Sequence, residues 1–181
     1  MCERKGQLDL IGAIKMIELS FLSKVHFLVI GDLPSSYSKK LHALIRELDL
    51  LRQECISVIP VTDQIVKYYY AADVMLLTSR LESFPKVIQE AMFFELPIIT
   101  TPVNGISEQV RDEVSAIFYS PGNTKELADK ITRLLTDSDL RARLSRNAKE
   151  SLSIFPSIEE MVIEYDNLIN EACVSNPMVI L

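Results

Sequence analysis

A doubly wound α/β fold, a parallel sheet with helices on both faces, is predicted by three features of this 181-residue chain. Short apolar runs alternate with stretches of helical periodicity, the pattern of parallel strands joined by crossover helices. Hydrophobic residues make up 48% of the chain and mean hydropathy is positive, which suits a well-covered core rather than a disordered polymer. The length admits one domain with a sizeable core, and no internal repeat or low-complexity block interrupts it.

Leu8, Ile11, Ile14, Ile17 and Phe21 recur at helical spacing and predict the first helix. Val25 to Ile30 reads as a short buried strand ending at Gly31-Asp32. A helix over Tyr37–Asp49 leads to a second strand, Ile56–Pro60. Asp63 is placed to cap a helix over Ile65–Ala71, and Val74–Leu77 follows as the third strand. Next comes a loop-to-helix junction at Glu82–Glu90, where Ser83 can cap free amides and Pro85 suits the first helical turn. Pro97–Thr100 and Ala116–Tyr119 complete the strands. Helices over Asn123–Thr136, Ser138–Leu152 and Ser157–Ala172 close the chain. Phe155-Pro156-Ser157 is the one clear break, so the expected division is a domain over residues 1–156 and a C-terminal helix and tail over 157–181.

Several classes of function are disfavoured. A net charge of −6 argues against broad nucleic-acid binding, which needs a basic footprint. Cys2, Cys55 and Cys173 are too few and too scattered for a disulfide framework or a zinc knuckle. His26 and His42 lack acidic or cysteine neighbours at ligand spacing and read as structural or surface residues, so no metal site is expected. Met1–Lys5 leads into no apolar signal core, and no run approaches the ~18 apolar residues of a membrane span. Cytoplasmic residence is the expectation. Arg141, Arg143, Arg146 and Lys149 lie on a late amphipathic helix as a solvated face, with peripheral contact to anionic lipid as the alternative.

Glu82 and Glu90 carry the chemistry. Glu82 lies just outside the helix start and Glu90 about two turns in. A helix N-terminus attracts anions through its unpaired N–H groups and dipole, whereas carboxylates beside it are better acceptors for hydroxyls. Together they suit a ligand bearing both phosphate and sugar, such as a sugar nucleotide. In a parallel sheet such ligands bind beyond the C-terminal strand ends, where Gly31, Val61, Ser79 and Glu82 would gather. Gly31 would also permit close backbone approach. Blander readings stand beside these. Glu90 can pair with Lys86 four positions earlier, and Glu82 can simply favour the helix dipole. Arg4-Lys5 can be solvated charge, and Tyr68-Tyr69-Tyr70 reads as packing.

Glu82-Ser83-Phe84-Pro85-Lys86-Val87-Ile88-Gln89-Glu90 resembles the Glu-x7-Glu signature of the family 4 retaining glycosyltransferases, which have the two-domain GT-B fold. Upstream, the run Tyr69-Tyr70-Ala71-Ala72-Asp73 through Ser79 is similar to that family's approach to its site. Downstream, Glu90-Ala91-Met92, Leu96-Pro97-Ile98-Ile99-Thr100-Thr101, Asn104-Gly105-Ile106 and Pro121-Gly122-Asn123 follow in the family's order. Arg4-Lys5-Gly6 resembles its Lys-Gly near the start of the C-terminal domain. The resemblance implies a Rossmann-like, nucleotide-sugar-binding half of a GT-B enzyme over nearly the whole chain. It assigns catalysis to Glu82, at the donor sugar's hydroxyls, and the ribose to Glu90. Ser83, Phe84, Pro85, Lys86 and Val87 would form the turn that meets diphosphate and sugar. Lys5 would neutralise the diphosphate, and Val61 would border the base. No cofactor or metal is implied beyond the nucleoside-diphosphate sugar itself.

Three departures qualify the resemblance. The family's first strand and its Gly-Arg would precede Lys5, where Met1 stands instead. Pro85 replaces a usual Gly and removes one amide, and Glu95 replaces Gly at a helix C-terminus. The expectation is a hexosyltransferase-like enzyme of glycan biosynthesis whose isolated chain binds nucleotide but transfers little sugar, with a separate acceptor-domain chain as a candidate partner. The alternatives are a non-catalytic nucleotide-sugar-binding remnant, a subunit of a split enzyme, and an epimerase of similar architecture.

Overall fold

The computed structural model describes residues 1–175. A 3-10 turn at Glu3–Lys5 opens the chain, and Gly6, at φ 63°, redirects it into α1 (Gln7–Ile14). Leu10, Ile11, Ala13 and Ile14 bury the inner face of α1. The expected first helix breaks after Lys15, because Glu18 adopts extended geometry before a short α2 (Leu19–Leu22). β1 (Phe27–Asp32) and β2 (Ile56–Pro60) are linked through α3 (Ser36–Arg46) and α4 (Leu50–Glu54). The helix expected over Tyr37–Asp49 ends early because Asp49 leaves helical geometry to cap α4, accepting from the Arg52 amide at 3.0 Å.

The second half alternates more tightly: α5 (Ile65–Ala71), β3 (Met75–Leu77), α6 (Lys86–Phe93), β4 (Ile98–Thr100), α7 (Ile106–Gln109) and β5 (Ile117–Phe118). α8 (Thr124–Thr136) and α9 (Ser138–Ser151) follow. Asp63 does not cap α5; Gln64 holds that position without a side-chain bond, its amide donating to Thr62 Oγ1 at 3.0 Å. Asn123 does cap α8, accepting from the Glu126 amide at 3.1 Å.

All strand pairs are parallel, as the alternating pattern requires, but hydrogen bonding divides them into two ladders: β1–β2 and β3–β4–β5. One core serves both, with Val29 and Leu41 in the same cluster as Ile99, Ile117 and Leu127. Residues 1–5 span the interval between the ladders. The Met1 amine donates to Gly31 O at 3.4 Å, the Arg80 amide to Arg4 O at 2.7 Å, and Thr78 Oγ1 to Lys5 O at 2.8 Å. Four peptide units reach at most about 14 Å, so the C-terminal ends of β1 and β3 lie on one side of the molecule.

Met1–Ser151 form one compact unit, and a second begins at Leu152. The second contains α10 (Ile158–Ser175), whose start is closed by a reciprocal cap. The Glu160 amide donates to Ser157 Oγ at 3.1 Å while the Ser157 amide donates to Glu160 Oε2 at 2.8 Å. Among the described residues, no helix is long and apolar enough to cross a membrane.

Candidate functional site

After β3 the chain enters the site through Thr78 and Ser79, both buried. Thr101 Oγ1, just past β4, donates to Ser79 O at 2.5 Å and ties the two strand ends together. Ser79 Oγ donates to Glu82 Oε1 at 2.6 Å, and Lys5 Nζ donates to the same oxygen at 2.5 Å. Glu82 is only 9% exposed. Burial works to raise its carboxyl, but the Lys5 and Ser79 hydrogen bonds outweigh that and hold it below its ordinary value. An ionised acid is thus fixed at the mouth of α6 with a cation against it.

The entry to α6 differs from expectation. Pro85, at φ −72° and ψ 119°, takes the N-cap position without a side-chain cap, and α6 begins at Lys86. Ser83 is exposed and does not cap the helix. Its carbonyl instead lies against Gly105, where an added Cβ would stand 1.4 Å from Ser83 O. Gln109 Nε2 donates to Pro85 O at 3.3 Å, so α7 and the loop before it shape the Ser83–Pro85 turn. Phe84 and Lys86 are exposed, Val87 is half-buried and Pro85 is buried.

Glu90 is half-buried on α6. Its partner is Tyr69 rather than Lys86: Tyr69 Oη donates to Glu90 Oε2 at 2.6 Å. Gly31, at φ 93°, and Val61 lie at the C-terminal ends of β1 and β2, joined where the Val61 amide donates to Asp32 O at 3.2 Å. Among the described residues no hydrogen bond links either to Glu82 or Glu90. Lys5 and Glu82 are therefore brought into contact, residues 83–87 follow on the same segment, and Gly31 and Val61 reach the site's edge of the sheet only by position.

Sequence spacing missed several contacts. His42 has an acidic neighbour after all, Nε2 lying 2.9 Å from Asp32 Oδ2, and that interaction holds the Asp32 carboxyl below its usual value. Buried Asp9 accepts from Arg80 Nη2 at 2.6 Å and from the Gly122 amide at 3.0 Å, binding α1 to the loop after β3 and to the Pro121-Gly122 turn. On α9, Arg143 donates to Glu113 O at 2.7 Å and Lys149 to Phe93 O at 2.8 Å, so these cations fasten the helix to its neighbours. A groove of 360 Å³ lined by Met16, Phe21, Ala128 and Thr132 contains none of the candidate residues.

Parallel ladders flanked by helices make an α/β domain, with an ionised acid and a lysine in contact at a helix mouth. The sequence pattern described as "Glycosyl transferases group 1" matches residues 2–151, and the chain belongs to that family. It is 31% identical over 146 residues to N-acetyl-alpha-D-glucosaminyl L-malate synthase of Bacillus anthracis, covering 78% of this chain and 36% of that protein. To the capsular polysaccharide biosynthesis glycosyltransferase CapM of Staphylococcus aureus it is 30% identical over 149 residues, 81% of this chain and 37% of CapM. Among solved structures, Anabaena HepE in complex with UDP-glucose superposes with a TM-score of 0.79 at 27% identity, over 97% of this chain and 46% of HepE. The chain thus spans less than half the length of each of these relatives. Its fold is that of the GT-B glycosyltransferase domains.

Proposed function

We propose that residues 1–156 bind the donor of a retaining glycosyltransferase, holding a nucleoside-diphosphate sugar while an acceptor-binding unit, in the same or another chain, presents a hydroxyl. The observation that carries this reading is the buried, ionised Glu82 locked by Lys5 and Ser79 beside the start of α6. Free amides of the first turn of α6 and the Lys5 ammonium face the diphosphate and stabilise the negative charge that develops as it departs. Glu82 meets hydroxyls of the donor sugar, and Glu90 takes the ribose hydroxyls. The turn of Ser83, Phe84, Pro85, Lys86 and Val87 lies along the diphosphate and sugar; Gly31 and Val61 border the nucleoside. The complex of HepE with UDP-glucose supports a uridine donor as the first to test. Charge neutralisation by Lys5 and helix amides makes the transfer metal-independent, so it survives EDTA. We place it in glycan assembly in the cytoplasm.

Calorimetric titration with UDP and UDP-glucose tests the assignment. Glu82→Gln weakens UDP-glucose about 10-fold relative to UDP, because Glu82 meets the sugar while its partner Lys5, released in the variant, still faces the diphosphate. Glu90→Gln weakens both ligands equally. Equal loss of both ligands in Glu82→Gln overturns the sugar assignment. The purified chain alone binds nucleotide but shows little or no transfer; measurable turnover without an added acceptor-binding unit refutes that part of the proposal.

A further inference from the structure

Tyr69 is 7% exposed on α5, yet its hydroxyl is aimed at a residue of the proposed site rather than at a backbone group. The Oη donates to Glu90 Oε2 at 2.6 Å, a charge-assisted bond across two helices from residues far apart in sequence. Its ring is fixed independently, stacked on Phe94 with centroids 5.1 Å apart and planes within 1° of parallel. Phe94 follows α6 directly, so α6 and the residue after it hold both the ring and the hydroxyl. Burial, together with the Glu90 carboxylate, raises the phenol's pKa, which keeps it a donor through the physiological range. Among the described residues Glu90 Oε1 receives no hydrogen bond.

A glutamate on a helix has three rotatable side-chain bonds, and an unrestrained one loses rotamer freedom when it engages a ligand. We infer that Tyr69 is a positioning residue for Glu90: by holding Oε2 it fixes the carboxylate and leaves Oε1 to accept from the vicinal 2′,3′-hydroxyls of the nucleotide's ribose. This rests on the proposed role of Glu90 at the ribose. Tyr69 touches no ligand itself; it sets how strongly the site distinguishes a ribonucleotide from one without those hydroxyls.

The test is titration of wild type, Tyr69→Phe and Glu90→Gln with UDP and with 2′,3′-dideoxy-UDP. Tyr69→Phe keeps the ring on Phe94 and removes only the hydroxyl, so unfolding midpoints of ligand-free protein serve as the folding control. The expected result is a 5- to 10-fold loss of UDP affinity, of the order of immobilising one rotamer-rich side chain, with dideoxy-UDP affinity unchanged. The preference for UDP over its dideoxy analogue then falls by the same factor. An unchanged preference in Tyr69→Phe, with the preference reduced in Glu90→Gln, overturns the role of Tyr69 and leaves the ribose assignment standing. An unchanged preference in Glu90→Gln overturns both. Equal weakening of the two ligands in Tyr69→Phe identifies Tyr69 as a packing residue and also overturns the inference.

Discussion

Glu82 shows how a single acid can be both buried and charged. Desolvation alone would favour the neutral form, but Lys5 and Ser79 converge on Oε1 and reverse the balance. Its folded pKa is lowered, so its contribution to stability is present above the unfolded value of about 4.3 and is lost as pH falls through the folded one. Because Lys5 remains 35% exposed, the pair is worth only about 1 kcal/mol after solvent screening, or ~2–4 °C in Tm. Thermal melts of wild type and Glu82→Gln should therefore differ most above about pH 5 and converge only as pH falls through the lowered folded value. A difference that persists unchanged at low pH would remove the ionic explanation. The acid outside a helix start was legible beforehand, but its pairing with Lys5, expected only to neutralise a diphosphate, was not. Nor was the Tyr69–Glu90 bond, because tertiary packing alone brings those helices together and no helical or strand period relates the two positions.

At the scale of elements, short apolar runs bounded by turn residues made every strand visible, and Ile56–Pro60 agrees at both ends. The caps were harder. Asp49 and Asp63 both precede helices, yet only Asp49 turns its carboxylate onto a helix amide. The choice depends on backbone angles that composition does not encode. Glu95 sits at φ 56° just past α6, where glycine is favoured, so the geometry expected of that position is present with a strained residue in it. Two glycines matter through close approach. An added Cβ at Gly105 would meet Ser83 O at 1.4 Å, and one at Gly6 would meet Thr78 O at 2.1 Å, with Gly6 also at φ 63°. Gly105→Ala should push the Ser83–Pro85 turn away, costing about 1–3 kcal/mol in urea melts and weakening UDP-glucose. Gly6→Ala should cost at least as much, since strain adds to the clash. Wild-type stability and affinity in either variant would contradict the packing described.

Over the whole molecule, the doubly wound pattern was legible but the division of its sheet was not, because hydropathy reports burial and not which strand edges meet. β4 is paired on both sides and buried throughout, whereas β1 and β3 each have one edge with no strand hydrogen-bonded to it among the described residues. Backbone amides of Ile98–Thr100 should therefore exchange with deuterium most slowly of all the strands, and those of β1 and β3 measurably faster. Uniform protection across the five strands would show that the ladders open as one. The break also gives the nucleotide a mechanical part to play. On the proposed binding mode one nucleotide rests on Gly31 and Val61 at one ladder and on the α6 mouth at the other, bracing two plates over the core they already share. Saturating UDP should accordingly stiffen the plate that lies farther from the glutamates, slowing deuterium uptake along β1 as well as beside Glu82.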